Sequence, residues 1–141
     1  MNHYHLRSLA QIYNLCNLTV KANPNTDLKC LNSLLYFIHP MDYSKFVNLN
    51  HNRYNRCSVF KNNKLELAIL TWLPGQTSGF HKHNNQCVFK VLENTISEEF
   101  LCGSKKTFRT GEIGYIAEPS VHNMSNLTAF TRTVTLHIYT V

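Results

Sequence analysis

The spacing of apolar residues changes near residue 50. Before that point, apolar side chains recur every three or four residues over 8–18 and again over 26–38, which predicts two amphipathic helices. Ser8 is of a type that caps the N-terminus of a helix, and Pro40 is placed to end the second helix. We therefore predict a helical N-terminal cap over residues 1–50.

After residue 50 the chain breaks into short apolar or alternating segments separated by turns. Turns recur about every 8–12 residues, a spacing typical of a β-sandwich or barrel. The fold is therefore predicted to be mainly β. The predicted strands are 53–60, 65–72, 87–92, 96–101, 107–109, 114–117 and 131–141, and residues 119–122 are predicted to form a loop.

Length and charge narrow the function classes. The chain has 141 residues, so we predict that 1–141 is a single domain. The net charge is +6, but the basic residues are scattered and only Lys105 and Lys106 are adjacent. We therefore expect no nucleic-acid partner. No apolar run approaches the ~18 residues of a membrane span, so we also expect no membrane partner, and we expect a monomer.

The cysteines indicate a reducing environment. There are five, at irregular spacing and without a C-x-x-C motif. An odd number without a regular pattern does not fit a disulfide framework. The first residues also lack the apolar segment of a signal peptide. We predict a cytoplasmic protein.

Two histidines suggest a metal site. His81 and His83 are two residues apart, and in a β-strand such residues project from the same face. His122 would be the third ligand, because it follows a strand that returns beside them. Three imidazoles suit iron, zinc, copper or nickel and leave positions open for a substrate.

The residues around the histidines match a known pair of motifs. Cys87 stands where most cupin proteins carry a glutamate ligand, and a cysteine there is the mark of the thiol dioxygenases. The sequence resembles the cysteine dioxygenase family of that group. The first cupin motif is matched by Gly75, His81, His83, Cys87 and Asn94, where Asn94 replaces the usual glycine. The second cupin motif is matched by Gly111, His122 and Asn126, and Ala117 and Pro119 replace its usual Pro and Gly.

Other segments extend this resemblance from Tyr54 to Tyr139. One residue fewer separates His83 from Cys87 than in the mammalian-type pattern. Four positions along a regular strand nevertheless keep Cys87 on the histidine face. The matching segments are Tyr54-Asn55-Arg56, Trp72 to Gly75, Cys87 to Leu92, and Thr135 to Tyr139.

The resemblance implies a fold and a reaction. The fold would be a small, jelly-roll-like cupin β-barrel over 51–141 behind the helical cap. His81, His83 and His122 would hold Fe(II). The substrates would be L-cysteine and O₂ and the product cysteine sulfinic acid, which would place the protein in cysteine catabolism.

The resemblance also implies roles for residues beside the metal. Arg56 would pair with the substrate carboxylate, because a guanidinium offers two parallel donors, and Tyr54 would help to hold it. Tyr139 would be a hydrogen-bond donor or acid beside the reacting oxygen. His137 would orient Tyr139, Thr135 would orient His137, and Cys87 could join Tyr139 in a thioether crosslink.

Two alternatives stay open on sequence grounds. The substrate could be another small thiol, such as 3-mercaptopropionate or cysteamine. Arg56 argues for a substrate with a carboxylate, which cysteamine lacks. The sequence does not identify a residue that would bind the substrate amine. The chain could also be a non-catalytic cupin that binds a metal or a small ligand.

Overall fold

The computed structural model describes residues 4–117 and 120–141. Two α-helices, two short 3-10 helices and eleven strands are seen in these ranges. The helices are α1 (Leu9–Ala22) and α2 (Asn32–Phe37), with 3-10 helices at Leu28–Leu31 and Tyr43–Phe46. The strands are β1 (His5–Arg7), β2 (Ile38–Pro40), β3 (Asn55–Lys61), β4 (Leu65–Trp72), β5 (His81–His83), β6 (Cys87–Glu93), β7 (Thr95–Phe100), β8 (Lys105–Arg109), β9 (Ile113–Ile116), β10 (Ser120–Ser125) and β11 (Thr133–Thr140).

The strands form two antiparallel sheets and one small parallel pair. One sheet has five strands in the order β3-β4-β11-β6-β9, and the other has four in the order β5-β10-β7-β8. The small pair joins β1 to β2. The predicted mainly-β fold with helices at the N-terminus is thus confirmed.

The five-stranded sheet is buried on both faces. On β4, Leu67 and Ile69 pack with apolar side chains of the helices, whereas Ala68, Leu70 and Trp72 pack with residues of the four-stranded sheet. A strand covered on both sides must be apolar throughout. This explains why 65–72 reads as a nearly continuous apolar run, and it places the N-terminal helices on the outer face of the sheet.

The helical predictions hold in part. Ser8 caps α1 through a hydrogen bond to the backbone of Gln11, whose side chain bonds back to Ser8. The predicted second helix over 26–38 is instead a 3-10 helix followed by α2, and its last residue begins β2. Within the described ranges, no helix is long and apolar enough to cross a membrane.

One predicted loop is wrong in its second half. Residues 120–122 belong to β10, which pairs with β5 and β7. Pro119 lies outside the described residues. The pattern of alternating apolar residues does not predict strand β10, because one of its buried positions is a histidine, His122.

A buried lysine links the sheet to the helices. Lys90 on β6 is only 1% exposed, and its Nζ donates hydrogen bonds to the backbone carbonyls of Leu35 and Ile38 at 2.6 Å and of Tyr36 at 3.3 Å. These carbonyls lie at the end of α2, where a helix leaves its acceptors unpaired. Burial lowers the pKa of Lys90 to about 8.

We predict that Lys90→Met lowers the free energy of unfolding by about 2 kcal/mol, because buried carbonyls lose their donor. Between pH 8 and 10.5 the unfolded chain holds a proton on this lysine that the folded chain has released. Stability contributed by Lys90 therefore rises with pH in that window, and the gap between wild type and variant widens. Urea unfolding across this range measures both effects. The exposed Lys64→Met is the control, and a variant as stable as the control would contradict the prediction.

Candidate metal centre

Strand pairing brings the three predicted histidines together. Antiparallel β5 and β10 place His81 directly opposite His122, and His83 projects from β5 two residues further on. The nitrogen atoms available from the three rings lie within 4.8 Å of one another, and Nε2 of His81 is 3.2 Å from Nε2 of His122. Metal–nitrogen bonds of about 2.1 Å at right angles would separate two ligand atoms by about 3 Å.

The hydrogen bonds made by Nδ1 of His81 and His83 determine which ring nitrogen is free to bind a metal. The Nδ1 of His81 lies 3.0 Å from the carbonyl oxygen of Gly79, and that of His83 lies 2.8 Å from the carbonyl oxygen of Asn85. A carbonyl only accepts, so both Nδ1 atoms carry the proton and donate it. Both Nε2 lone pairs are therefore free for a metal.

His122 is oriented by a carboxylate. Its Nδ1 donates to Oε2 of Glu98 at 2.8 Å, which leaves its Nε2 free as well. His122 is fully buried, and Glu98, on β7, is only 4% exposed. A carboxylate behind a metal-ligating imidazole fixes the ring and makes it a stronger ligand. The three rings thus form a donor set that fits a divalent metal.

Glu98 was missed by the sequence analysis. The signal was present, because Glu98 is two residues after the buried Ile96 and so shares the inner face of its strand. An acid on a core-facing position needs a partner. Its partner comes from β10, which the sequence analysis did not recognise as a strand.

Burial keeps His83 neutral. It lowers the pKa of His83 below the usual value for an imidazole, although the hydrogen bond to the Asn85 carbonyl acts in the opposite direction. A metal requires the unprotonated Nε2. The half-buried position of this ring therefore favours the form that can bind.

A chain of hydrogen bonds leads through the core to Tyr139. The indole Nε1 of Trp72 donates to Oγ1 of Thr135 at 3.1 Å, and that hydroxyl lies 2.9 Å from Nε2 of His137. The hydroxyl of Tyr139 lies 3.1 Å from Nδ1 of His137. Residues 135, 137 and 139 alternate along β11 and share one face of the sheet.

The donor-only indole of Trp72 sets the direction of this chain. Among the described residues, Thr135 has no acceptor for its own proton except Nε2 of His137. The arrangement that gives the buried Thr135 hydroxyl an acceptor therefore protonates His137 at Nδ1, which donates to the oxygen of Tyr139. Burial lowers the pKa of His137 well below its usual value, so the ring is neutral. The phenolic proton of Tyr139 stays free to reach another acceptor.

Cys87 lies beside this chain. It is the direct partner of Tyr139 across β6 and β11, and its Sγ is 3.5 Å from Nδ1 of His137. Burial first, and then the charge of Glu98, raises the pKa of this thiol well above its usual value. Burial likewise raises the pKa of Tyr139. Both side chains are therefore protonated at neutral pH.

Arg56 already has a carboxylate partner. Its Nη2 and Nη1 donate to the two carboxylate oxygens of Glu66 at 2.7 and 3.0 Å. Its Cζ lies 4.9 Å from the centre of the Tyr139 ring. Tyr54, the other predicted substrate-binding residue, stacks on Trp72 at 4.4 Å. The sequence analysis placed Arg56 in this region but gave no sign of Glu66.

Two cavities of about 280 Å³ border these residues. One is lined by His81, His83 and Tyr139, together with residues 82, 84 and 85. The other is lined by Arg56 and Tyr54, together with residues 50, 53 and 55. Because Tyr139 borders one cavity and Arg56 the other, the contact between these two side chains lies between the two cavities.

The chain is similar to known proteins along most of its length. Residues 4–141 match the family described as Cysteine dioxygenase type I. Cysteine dioxygenase type 1 of Rattus norvegicus is 27% identical over 118 residues, which cover 74% of this chain and 59% of the relative, and the enzyme of Homo sapiens matches to the same extent. The chain thus spans about three fifths of the length of these curated relatives.

Solved structures show the same fold at lower identity. A Thermus thermophilus protein has a TM-score of 0.64 at 18% identity, covering 70% of this chain and 93% of that one. A cupin superfamily protein from Desulfitobacterium hafniense has a TM-score of 0.62 at 10% identity, covering 73% and 91%. The predicted cupin fold is confirmed.

We predict that Glu98→Gln lowers the affinity for a divalent metal ion, with Fe(II) as the probe, about 10- to 100-fold, because the amide holds the His122 ring more weakly than the carboxylate does. Anaerobic competition against a chelator measures the change. Glu99→Gln is the matched control, since Glu99 is the next residue on the same strand and points to the opposite face. Equal affinities of the two variants would contradict a role for Glu98 in metal binding.

Proposed function

Because the chain belongs to the cysteine dioxygenase type I family, we propose that it is an iron(II)-dependent thiol dioxygenase that converts L-cysteine and O₂ into cysteine sulfinic acid. The observation that carries the proposal is the set of three free Nε2 lone pairs beside Tyr139. Both atoms of O₂ end on the substrate sulfur, so the reaction needs no external reductant.

The ligand set suits a thiol substrate. Three neutral imidazoles leave the full charge of a divalent ion uncompensated, which favours an anionic thiolate. Iron bound by His81, His83 and His122 would supply the redox chemistry. The protein would supply geometry, charge and proton positions.

Arg56 is proposed to bind the substrate carboxylate. A guanidinium has five N–H donors, and Glu66 takes two of them. The side chain is 38% exposed and borders a cavity, so its remaining donors are accessible. Tyr54 borders the same cavity and is proposed to hold this end of the substrate.

Tyr139 is proposed to donate its proton near the reacting sulfur and oxygen. Its ring is parallel to that of His83, with 5.9 Å between ring centres. Since His137 donates to the phenolic oxygen, the Tyr139 proton can point toward the substrate. Thr135 and His137 act as positioning residues, because they orient Tyr139 without reaching the cavity side themselves.

We propose that 1–141 acts as a single domain and a monomer, with a thiol and O₂ as its small-molecule partners. A cytoplasmic location is in keeping with five free cysteines.

We predict that Cys87 and Tyr139 become joined by a thioether bond in the active protein. Forming this bond removes one hydrogen from the thiol and one from the ring, a two-electron oxidation in which O₂, the proposed co-substrate, takes up both hydrogens as H₂O₂. The two residues are direct cross-strand partners with side chains on one face. Intact-protein mass spectrometry should show a loss of two hydrogens, assigned by peptide mapping to Cys87 and Tyr139. The deficit should persist in Cys102→Ser and vanish in Cys87→Ser; a full-mass wild type after turnover would exclude the crosslink.

We predict that the iron-loaded protein consumes O₂ in the presence of L-cysteine and forms cysteine sulfinic acid. An oxygen electrode combined with product identification by mass spectrometry makes the measurement. 3-Mercaptopropionate and cysteamine are assayed in parallel, because they lack the amine and the carboxylate respectively. One O₂ should be consumed per sulfinate formed.

The control for this assay is His122→Ala, which should abolish both iron binding and turnover. If another thiol is turned over faster than L-cysteine, that thiol replaces L-cysteine as the proposed substrate and the proposed reaction stays the same. Iron-loaded wild type that oxidises none of the three thiols would leave a non-catalytic, metal-binding cupin as the better description.

A further inference from the structure

Glu66 is a buried acid at the edge of the candidate substrate site. It lies on the inner face of β4, with Ala68 and Leu70, and is 8% exposed. It is also the direct cross-strand partner of Tyr139. An acid in such a position normally needs a charged or hydrogen-bonding partner, and Arg56 provides both.

The contact between Glu66 and Arg56 is bidentate. Two N–H···O bonds of 2.7 and 3.0 Å join Nη2 and Nη1 of Arg56 to the two carboxylate oxygens of Glu66 and so limit rotation of the guanidinium. The same guanidinium lies against the Tyr139 ring. Glu66 is therefore placed to fix the orientation of Arg56 and to cancel its charge.

Charge cancellation has a direct consequence for substrate choice. Arg56 alone would present a full positive charge to a ligand, whereas the pair is neutral overall. A ligand carboxylate bound to the outer donors of Arg56 also experiences repulsion from Glu66, and a ligand ammonium experiences attraction. The fold thus weakens the preference for a carboxylate that Arg56 would otherwise impose.

We propose that Glu66 is a specificity-determining residue that disfavours thiols bearing a carboxylate without an amine and favours amino thiols. The proposal rests on the thiol dioxygenase function proposed above and names its substrate class. Cysteine, a zwitterion, fits the neutral pair. 3-Mercaptopropionate carries one negative charge more than cysteine, and cysteamine carries one positive charge more.

The test is a comparison of three thiols across matched variants. Glu66→Gln removes the charge and keeps a hydrogen-bonding side chain of similar size. Arg56→Ala removes the opposite charge. Glu93→Gln is the control, because it breaks the other arginine–glutamate pair, with Arg132, at the far end of β6. For each protein, kcat/KM is measured with 3-mercaptopropionate, cysteine and cysteamine.

We expect effects graded by ligand charge. In Glu66→Gln, the ratio of kcat/KM for 3-mercaptopropionate to that for cysteamine should rise at least tenfold, with cysteine between them. In Arg56→Ala the ratio should fall at least tenfold. Glu93→Gln should leave it within twofold of wild type. Anaerobic calorimetry should show the same order in the dissociation constants of the thiols.

A purely structural role predicts a different pattern. If Glu66 only supported the fold, all three thiols would lose kcat/KM in parallel and the ratio would not change, which would overturn the proposal. Glu66→Asp keeps the charge and should keep the wild-type ratio; a shift as large as that of Glu66→Gln would also overturn it. If Glu66→Gln does not fold, as judged by thermal unfolding, Glu66→Asn serves as the second neutral variant.

The calorimetric readout separates this proposal from the function on which it rests. Wild type without turnover of any thiol would reject the dioxygenase function. The order of thiol affinities in wild type and Glu66→Gln would still decide the role of Glu66, and unchanged affinities would reject it.

Discussion

The hydrogen bonds made by the three Nδ1 atoms are the constraint on which the candidate site depends. Each imidazole has one proton to place, and an acceptor on the far side of the ring takes it. Strand β10 is central to this arrangement, because its His122 meets His81 on β5 and Glu98 on β7. A slip of β10 by one residue would turn His122 to the other face and remove both contacts.

Burial on both faces of the five-stranded sheet limits where polar groups can lie. Strands β4 and β11 are interior strands that contact both cores, so a polar side chain there loses free energy unless it finds a partner inside. The row of Thr135, His137 and Tyr139 meets this condition through its own hydrogen bonds and that of Trp72. A largely apolar core thus tolerates a polar row that ends beside the candidate metal ligands.

Sequence patterns predicted those features that depend on neighbouring residues. The period-two spacing of His81 and His83 and the N-cap at Ser8 are local, and both appear in the structure. Strand β10 was misread because its inner face carries a histidine where an apolar residue would signal a strand. Glu98 and Glu66 were missed because each is defined by a partner at least ten residues away, His122 or Arg56, and the pairing depends on strand register.

Arg56 shows why a single charged residue does not define a binding preference. Taken alone, a guanidinium on the inner face of β3 indicates a carboxylate ligand, but in the fold it already binds Glu66, which lies on the next strand. The preference then belongs to the pair, and the field that a ligand meets is set by both charges and by the donors left over. The Arg56 guanidinium also contacts Tyr139. The charge that would bind the carboxylate of a substrate therefore also acts on the side chain proposed to donate a proton. If Arg56 and Tyr139 act as proposed, substrate choice and proton donation are coupled through one side chain.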